Sequence, residues 1–127
     1  SGPSKIKATY DNARNILKEG MSVVVFPEGA RTFSGHMGVF FRGAFMLADE
    51  LQLPVVPITI NGSFDVKPRT CDFFWVFWHP LRLTIHEPIQ PCGRGAENVR
   101  QLMDKSYAAV MAGLEPKYQG FVENPDQ

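Results

Sequence analysis

Val23-Val24-Val25-Phe26-Pro27-Glu28-Gly29-Ala30-Arg31 is an apolar run that ends abruptly in a proline, a carboxylate, a glycine and an arginine. Its first four residues are β-branched or aromatic without polar alternation, the pattern of a strand covered on both faces. Pro27 has no N–H to give to a ladder, so the predicted strand, Ser22 to Phe26, stops there. Polar groups that follow a buried strand emerge at its carboxyl end, where open α/β sheets place their ligand crevices. Glu28 and Arg31 are therefore candidate site residues. Gly29 lets the backbone turn and come close to a ligand, and the guanidinium of Arg31 offers a planar fork suited to phosphate or carboxylate. A Glu and an Arg three apart after a strand also describe an ordinary surface ion pair, and spacing alone does not separate the two.

On the amino-terminal side, Ile6, Tyr10, Ala13, Ile16 and Leu17 recur at helical spacing behind Ser4, a residue suited to capping. A helix is expected from about Lys5 to Glu19, with Gly20 as its left-handed stop. On the carboxyl side, Pro27 to Val39 holds three glycines and no hydrophobic period, which reads as a long and therefore functional or mobile loop. His36 lies within it and reads as an exposed loop histidine. A helix over about Phe40 to Leu51 follows, then a strand at Val55 to Ile60.

Asn61-Gly62-Ser63 is a turn signal, and Phe64 to Thr70 reads as a polar loop. Phe73-Phe74-Trp75-Val76-Phe77-Trp78 admits two readings, rings packed on the core or a lipid-interface contact. Leu81, Leu83 and Ile85 alternate with Arg82, Thr84 and His86, the period of a half-buried strand. His79 and His86 read as structural. A last helix opens near Gly93 to Ala96, with Val99, Leu102, Met103, Ser106 and Val110 on its inner face. Strands alternating with helices argue for an α/β domain, a layered sheet flanked by helices, over residues 1–115, with 116–127 as a flexible tail.

A chain of 127 residues is one domain at most. Its 13 basic and 13 acidic side chains cancel, which excludes the basic surplus that binding to a nucleic-acid backbone requires. Cys71 and Cys92 show no metal-type spacing and read as reduced, partly buried thiols. No stretch has the roughly 18 consecutive apolar residues of a membrane span, and no signal peptide is visible. The chain opens on Ser-Gly-Pro without an initiator Met, and reads as a piece of a longer protein.

Phe26-Pro27-Glu28-Gly29-Ala30-Arg31, continued by Thr32 to Gly35 and by Phe41-Arg42-Gly43-Ala44-Phe45, resembles a signature block of the PlsC-type glycerophospholipid acyltransferases. The family's usual form is FPEGTR, so Ala30 departs from it at the least demanding position. Val55-Val56-Pro57-Ile58-Thr59-Ile60 resembles the family's later VPV-like strand at about the expected distance. The likeness extends over roughly residues 5–112 and implies a glycerolipid-acyltransferase-like fold. It also implies a reaction, transfer of an acyl group from acyl-CoA or acyl carrier protein to 1-acylglycerol 3-phosphate, giving phosphatidic acid.

The same resemblance implies roles. Arg31 would bind the glycerol phosphate, with Glu28 and Gly29 shaping the same site. Pro27, Arg42 and Pro57 would contribute to the pocket. No metal or bound cofactor is implied, because the acyl thioester is a co-substrate. The implied partners are lysophosphatidic acid, the acyl donor and a membrane surface on the cytoplasmic side.

One family element is missing. The family's base is a histidine followed five residues later by an aspartate, whereas His36, His79 and His86 are followed at that interval by Phe41, Thr84 and Pro91. The expectation is that the dyad lies upstream of Ser1, that this chain alone does not turn over, and that its exposed sheet edge favours self-association. Two other readings share these motifs, a non-catalytic lysophospholipid-binding module and a sibling enzyme with another lysolipid acceptor.

Overall fold

The computed structural model describes residues 2–32, 34–67 and 76–119. Helix α1 spans Pro3–Lys18, α2 Gly43–Leu51, α3 Ser63–Val66 and α4 Ala96–Gly113, and the strands are β1, Ile58–Asn61, and β2, Arg82–Ile85. Helix α1 starts two residues earlier than expected. Its N-cap is Gly2 and Pro3 occupies the first turn, where a missing N–H costs nothing, so Ser4 is not the cap. The predicted stop is observed: Gly20 sits at φ +89°, its N–H donates to the Leu17 carbonyl, and Met21 donates to the Ile16 carbonyl.

The core forms where α2 packs on α4. Phe45, Ala48, Val99 and Leu102 are buried together, with Phe40, Val55, Ile89 and Met103 against them. A polar clamp holds the same two helices. The buried Asn98 amide donates to Asp49 Oδ1 at 2.8 Å and accepts from the Cys92 N–H at 2.8 Å, while the Gly95 N–H also donates to Asp49. Every buried group in this clamp is paired, which is what allows a polar side chain into a core. Helix α1 is fastened to α2 by Arg14, whose Nε and Nη2 donate to the two oxygens of Glu50 at 2.8 and 3.0 Å.

Strands β1 and β2 pair antiparallel, Ile58 opposite Ile85 and Ile60 opposite Leu83, and a bridge joins Val55 to Ile89. Alternation sends Thr59 and Asn61 inward onto α4, where they are fully buried. The Thr59 hydroxyl donates to the Val110 carbonyl at 3.1 Å, so its 2.6 Å contact with His86 Nε2 places the proton on that nitrogen. Asn61 donates to the Gly113 carbonyl and accepts from the Glu115 N–H, satisfying the end of α4. The structural reading of His86 is borne out.

Several expectations are corrected. The apolar stretch at 22–26 makes no ladder among the described residues, and Val24 and Phe26 are 77% and 72% exposed rather than covered on both faces. β1 and β2 pair with each other, so the described residues give this stretch neither a ladder partner nor a covering layer. Part of the expected loop after Ser63 is helical, because α3 closes a single turn with the Val66 N–H on the Gly62 carbonyl. Cys92 is exposed rather than partly buried. His36 is half-buried rather than exposed, its N–H held by the Ser34 hydroxyl at 3.2 Å. The start of the expected tail is folded: Pro116–Tyr118 form a 3-10 turn and Tyr118 is buried. Residues 120–127, Cys71 and the Phe73-Phe74-Trp75 part of the aromatic run lie outside the described residues.

Candidate functional site

The segment after the apolar run is a closed loop. Where the run ends, the Gly29 N–H donates to the Phe26 carbonyl at 3.1 Å, making a turn. Twelve residues later the chain returns, and the Phe41 N–H donates to the Pro27 carbonyl at 2.8 Å. Glu28 staples the interior of the loop, accepting the Gly38 N–H on Oε2 at 2.8 Å. Thr32 organises the tip, where its hydroxyl oxygen accepts from the N–H groups of Ser34 and Gly35, each at 3.2 Å.

Gly29 is needed here for two separate reasons. Its φ is +72°, a region costly for other residues, and a Cβ on it would sit 3.1 Å from the Phe41 ring. Phe41 is the residue whose N–H closes the loop, so a larger side chain would press on the closure itself. Pro27, Glu28 and Gly29 are thus brought into one unit with Gly38 and Phe41. Arg31 leaves the same turn two residues on and is exposed to solvent.

The other two candidates sit differently. Arg42 is the N-cap of α2 and lines a groove of about 750 Å³ between α1, α2 and α4, with Tyr10, Arg14, Met46, Arg100 and Met103. The charged side chains of that groove are paired largely with one another, since Arg14 binds Glu50 and Asp11, and Arg100 binds Glu97. Burial, and then the charge of Glu50, raises the Tyr10 phenol above its ordinary range against the opposing pull of Arg14. Pro57 is buried, and its carbonyl accepts the His86 N–H at 2.9 Å, continuing the β1–β2 ladder. A proline fits there because the ladder asks it only for a carbonyl.

Sequence reasoning missed Tyr107. It projects from α4 against Phe40, with ring centroids 5.0 Å apart and planes at 68°. Burial raises its phenol above the usual range, and the negative charge of Glu28 adds to that. The available signal was its position four residues after Met103, which puts both on one stripe of the helix. Among the described residues, no three His, Cys, Asp or Glu side chains are grouped to hold a metal ion.

The closed loop thus fixes the Glu28 carboxylate on Gly38, and Arg31 follows on the same turn, exposed to solvent. Residues 1–61 match the family model described as acyltransferase. A chloroplastic 1-acyl-sn-glycerol-3-phosphate acyltransferase of Brassica napus is 40% identical over 75 residues, 58% of this chain and 21% of that protein. The alpha enzyme of the same name from Homo sapiens is 45% identical over 60 residues, 47% of this chain and 21% of that protein. The crystal structure of the 1-acyl-sn-glycerophosphate acyltransferase PlsC from Thermotoga maritima superposes with a TM-score of 0.72 at 30% identity, over 82% of this chain and 42% of that one.

The chain belongs to the PlsC-type 1-acyl-sn-glycerol-3-phosphate acyltransferase family. It spans 21% of the length of the Brassica napus relative and 31% of a Chlamydomonas reinhardtii one.

Proposed function

We propose that this chain carries the acceptor-binding part of an acyltransferase of phospholipid biosynthesis. The reaction moves an acyl group from a thioester, acyl-CoA or acyl carrier protein, onto the free hydroxyl of 1-acylglycerol 3-phosphate. The hydroxyl oxygen attacks the thioester carbonyl, the carbon–sulfur bond breaks, and phosphatidic acid and a free thiol result. The observation that carries the reading is the Glu28 staple inside the Phe26–Phe41 loop, with Arg31 on the same turn.

Each residue then has a role. Arg31 binds the phosphomonoester through charge-assisted hydrogen bonds. Glu28, anchored on Gly38, accepts from a glycerol hydroxyl, and the Pro27 and Gly29 backbone fixes the spacing between the two. Holding the acceptor in one pose makes its hydroxyl available for attack. The proton on that hydroxyl needs a base, and none of the three histidines here has an aspartate at the family's interval. This chain's contribution is therefore binding and orientation, and no turnover is expected of it alone. No metal or bound cofactor enters the scheme.

The test is a titration of the chain with glycerol 3-phosphate and with a short-chain lysophosphatidate, following backbone amides by NMR. Saturable shifts at Gly29, Arg31 and Gly38 are the expected result. Saturation elsewhere, or none, would overturn the assignment of the acceptor site.

The lipid source implies a bilayer, and the supporting feature is an exposed apolar segment. No helix among the described residues is long and apolar enough to cross a membrane. Trp78 is 90% exposed, and Val76, Phe77 and Leu81 are exposed beside it. Trp78 carries a large apolar ring with one polar N–H, the chemistry of the headgroup boundary. Replacing Trp78 by Ala is expected to weaken binding to anionic phospholipid vesicles several-fold in a sedimentation assay, with an unchanged melting temperature. Equal binding would remove the segment from the membrane contact.

A further inference from the structure

The tip of the loop that carries the candidate site rests on an aromatic ring. Gly35 stands at φ +89°, and a Cβ built on it would lie 3.0 Å from Cδ1, 3.3 Å from Cε1 and 3.4 Å from Cγ of Phe64. So close an approach suits glycine, whose backbone can come up to a ring without a side chain between them. The ring is half-buried and belongs to α3, the single helical turn that follows β1. That turn is tied down on two sides: the Val66 carbonyl accepts the Phe77 N–H at 2.8 Å, and Asp65 Oδ2 pairs with Lys117 Nζ at 3.1 Å. At its start Gly62 is pressed against the segment before β2, where a Cβ would strike the Pro80 carbonyl oxygen. Phe64 is therefore carried by a fixed part of the fold.

The hydrogen bonds that shape the tip are short-range: Thr32 accepts from Ser34 and Gly35, and the Ser34 hydroxyl accepts from the His36 N–H. Such bonds give a turn its shape without placing it against the rest of the molecule. The two closures that reach across the loop, Phe41 to Pro27 and Gly38 to Glu28, lie at its base. Resting on the reading of Arg31 as the phosphate ligand, we propose that Phe64 is a positioning residue for Arg31. Its ring seats Gly35, the Gly35 N–H is bonded to Thr32, and Thr32 directly follows Arg31. The backbone that carries the guanidinium is thereby fixed relative to the body of the fold. Placing a long, flexible cation in advance lowers the ordering cost that binding has to meet.

A double-variant cycle on the chain itself tests this, read as the affinity for glycerol 3-phosphate well below the melting temperature. Phe64→Ala is expected to weaken binding about fivefold, less than Arg31→Ala does, because a ring that acts through Arg31 cannot cost more than the guanidinium it places. In the Arg31→Ala background the same change is expected to do nothing further, since its target has gone. Losses that multiply in the double variant would show another route and overturn the proposal. So would an affinity untouched by Phe64→Ala while Arg31→Ala lowers it, the result for a merely structural ring. If Phe64→Ala does not fold, Phe64→Leu keeps the apolar bulk without the flat ring and takes its place in both arms. Without ligand, the Gly35 α-protons are expected to carry a ring-current displacement that Phe64→Leu removes, and protons that do not move would also overturn the contact. Binding indifferent to both Arg31→Ala and the Phe64 change would instead defeat the acceptor-site reading, and the proposal would fall with it.

Discussion

Replacing Arg31 by Ala is expected to weaken glycerol 3-phosphate binding by about 10-fold in this chain. A charge-assisted hydrogen bond contributes about 1.5–3 kcal/mol, and each 1.4 kcal/mol is a factor of about ten. The lower end applies because Arg31 is exposed, where water and salt screen the charge. Three companions sharpen the result. Arg31→Lys should lose part of the affinity, since an ammonium keeps the charge but not the planar fork. Raising the salt should reduce the difference between the unaltered chain and Arg31→Ala. Gly29→Ala should lower affinity as well, through the Phe41 contact that a Cβ would disturb. Calorimetry at low and at raised ionic strength reads all three. An affinity unchanged in Arg31→Ala would mean that the phosphate is held by other cations.

Replacing Gly113 by Ala is expected to lower stability by about 3 kcal/mol, the upper end for overpacking a well-filled site. In an exposed helix the same change would stabilise by roughly 0.5–1 kcal/mol, so even the sign is diagnostic. A Cβ on Gly113 would lie 2.5 Å from Thr59 Oγ1 and 2.9 Å from His86 Cε1. It would push against the pair that β1 and β2 turn toward α4, and relieving the clash would cost the buried Thr59 hydroxyl its bonds to Val110 and His86. Urea unfolding should show a lower midpoint with an unchanged slope. In a Thr59→Ala background the substitution should be far milder, because the atom it strikes is gone and neighbouring changes do not add. A loss below about 0.5 kcal/mol for the single change would show that α4 can slide away from the sheet.

The parts of this fold legible in the sequence are those governed by local rules. The end of α1 was readable because Gly20 supplies a left-handed backbone that few other residues accept. β2 was readable as a strand because Leu81, Leu83 and Ile85 alternate with polar residues, although all three are exposed rather than on a half-buried face, and α4 was readable because its apolar positions recur at helical spacing. The Phe26 to Arg31 block was readable as a turn, since a proline and a glycine end the apolar run and the Gly29 N–H closes back on the Phe26 carbonyl.

What the local rules could not supply was the choice of partner. Residues 22–26 have every intrinsic feature of a buried strand, but burial and pairing belong to the neighbour as much as to the strand, and among the described residues none is supplied. Arg42 was placed with Arg31 because it follows the same block, and the start of α2 directs it to another groove. Thr59, Asn61 and Asn98 are unremarkable polar letters in sequence. They become the polar clamps of the core only because β1 and α2 each meet α4 face on, and a buried polar group is tolerated where the opposing backbone completes its hydrogen bonds. The sequence by itself determined the turn that carries Glu28, Gly29 and Arg31, because proline and glycine act on their own backbone. Tertiary structure alone decided that Gly38 and Phe41 close on that turn, because hydrogen bonds across 10 and 14 residues depend on how the chain folds back and on nothing written locally.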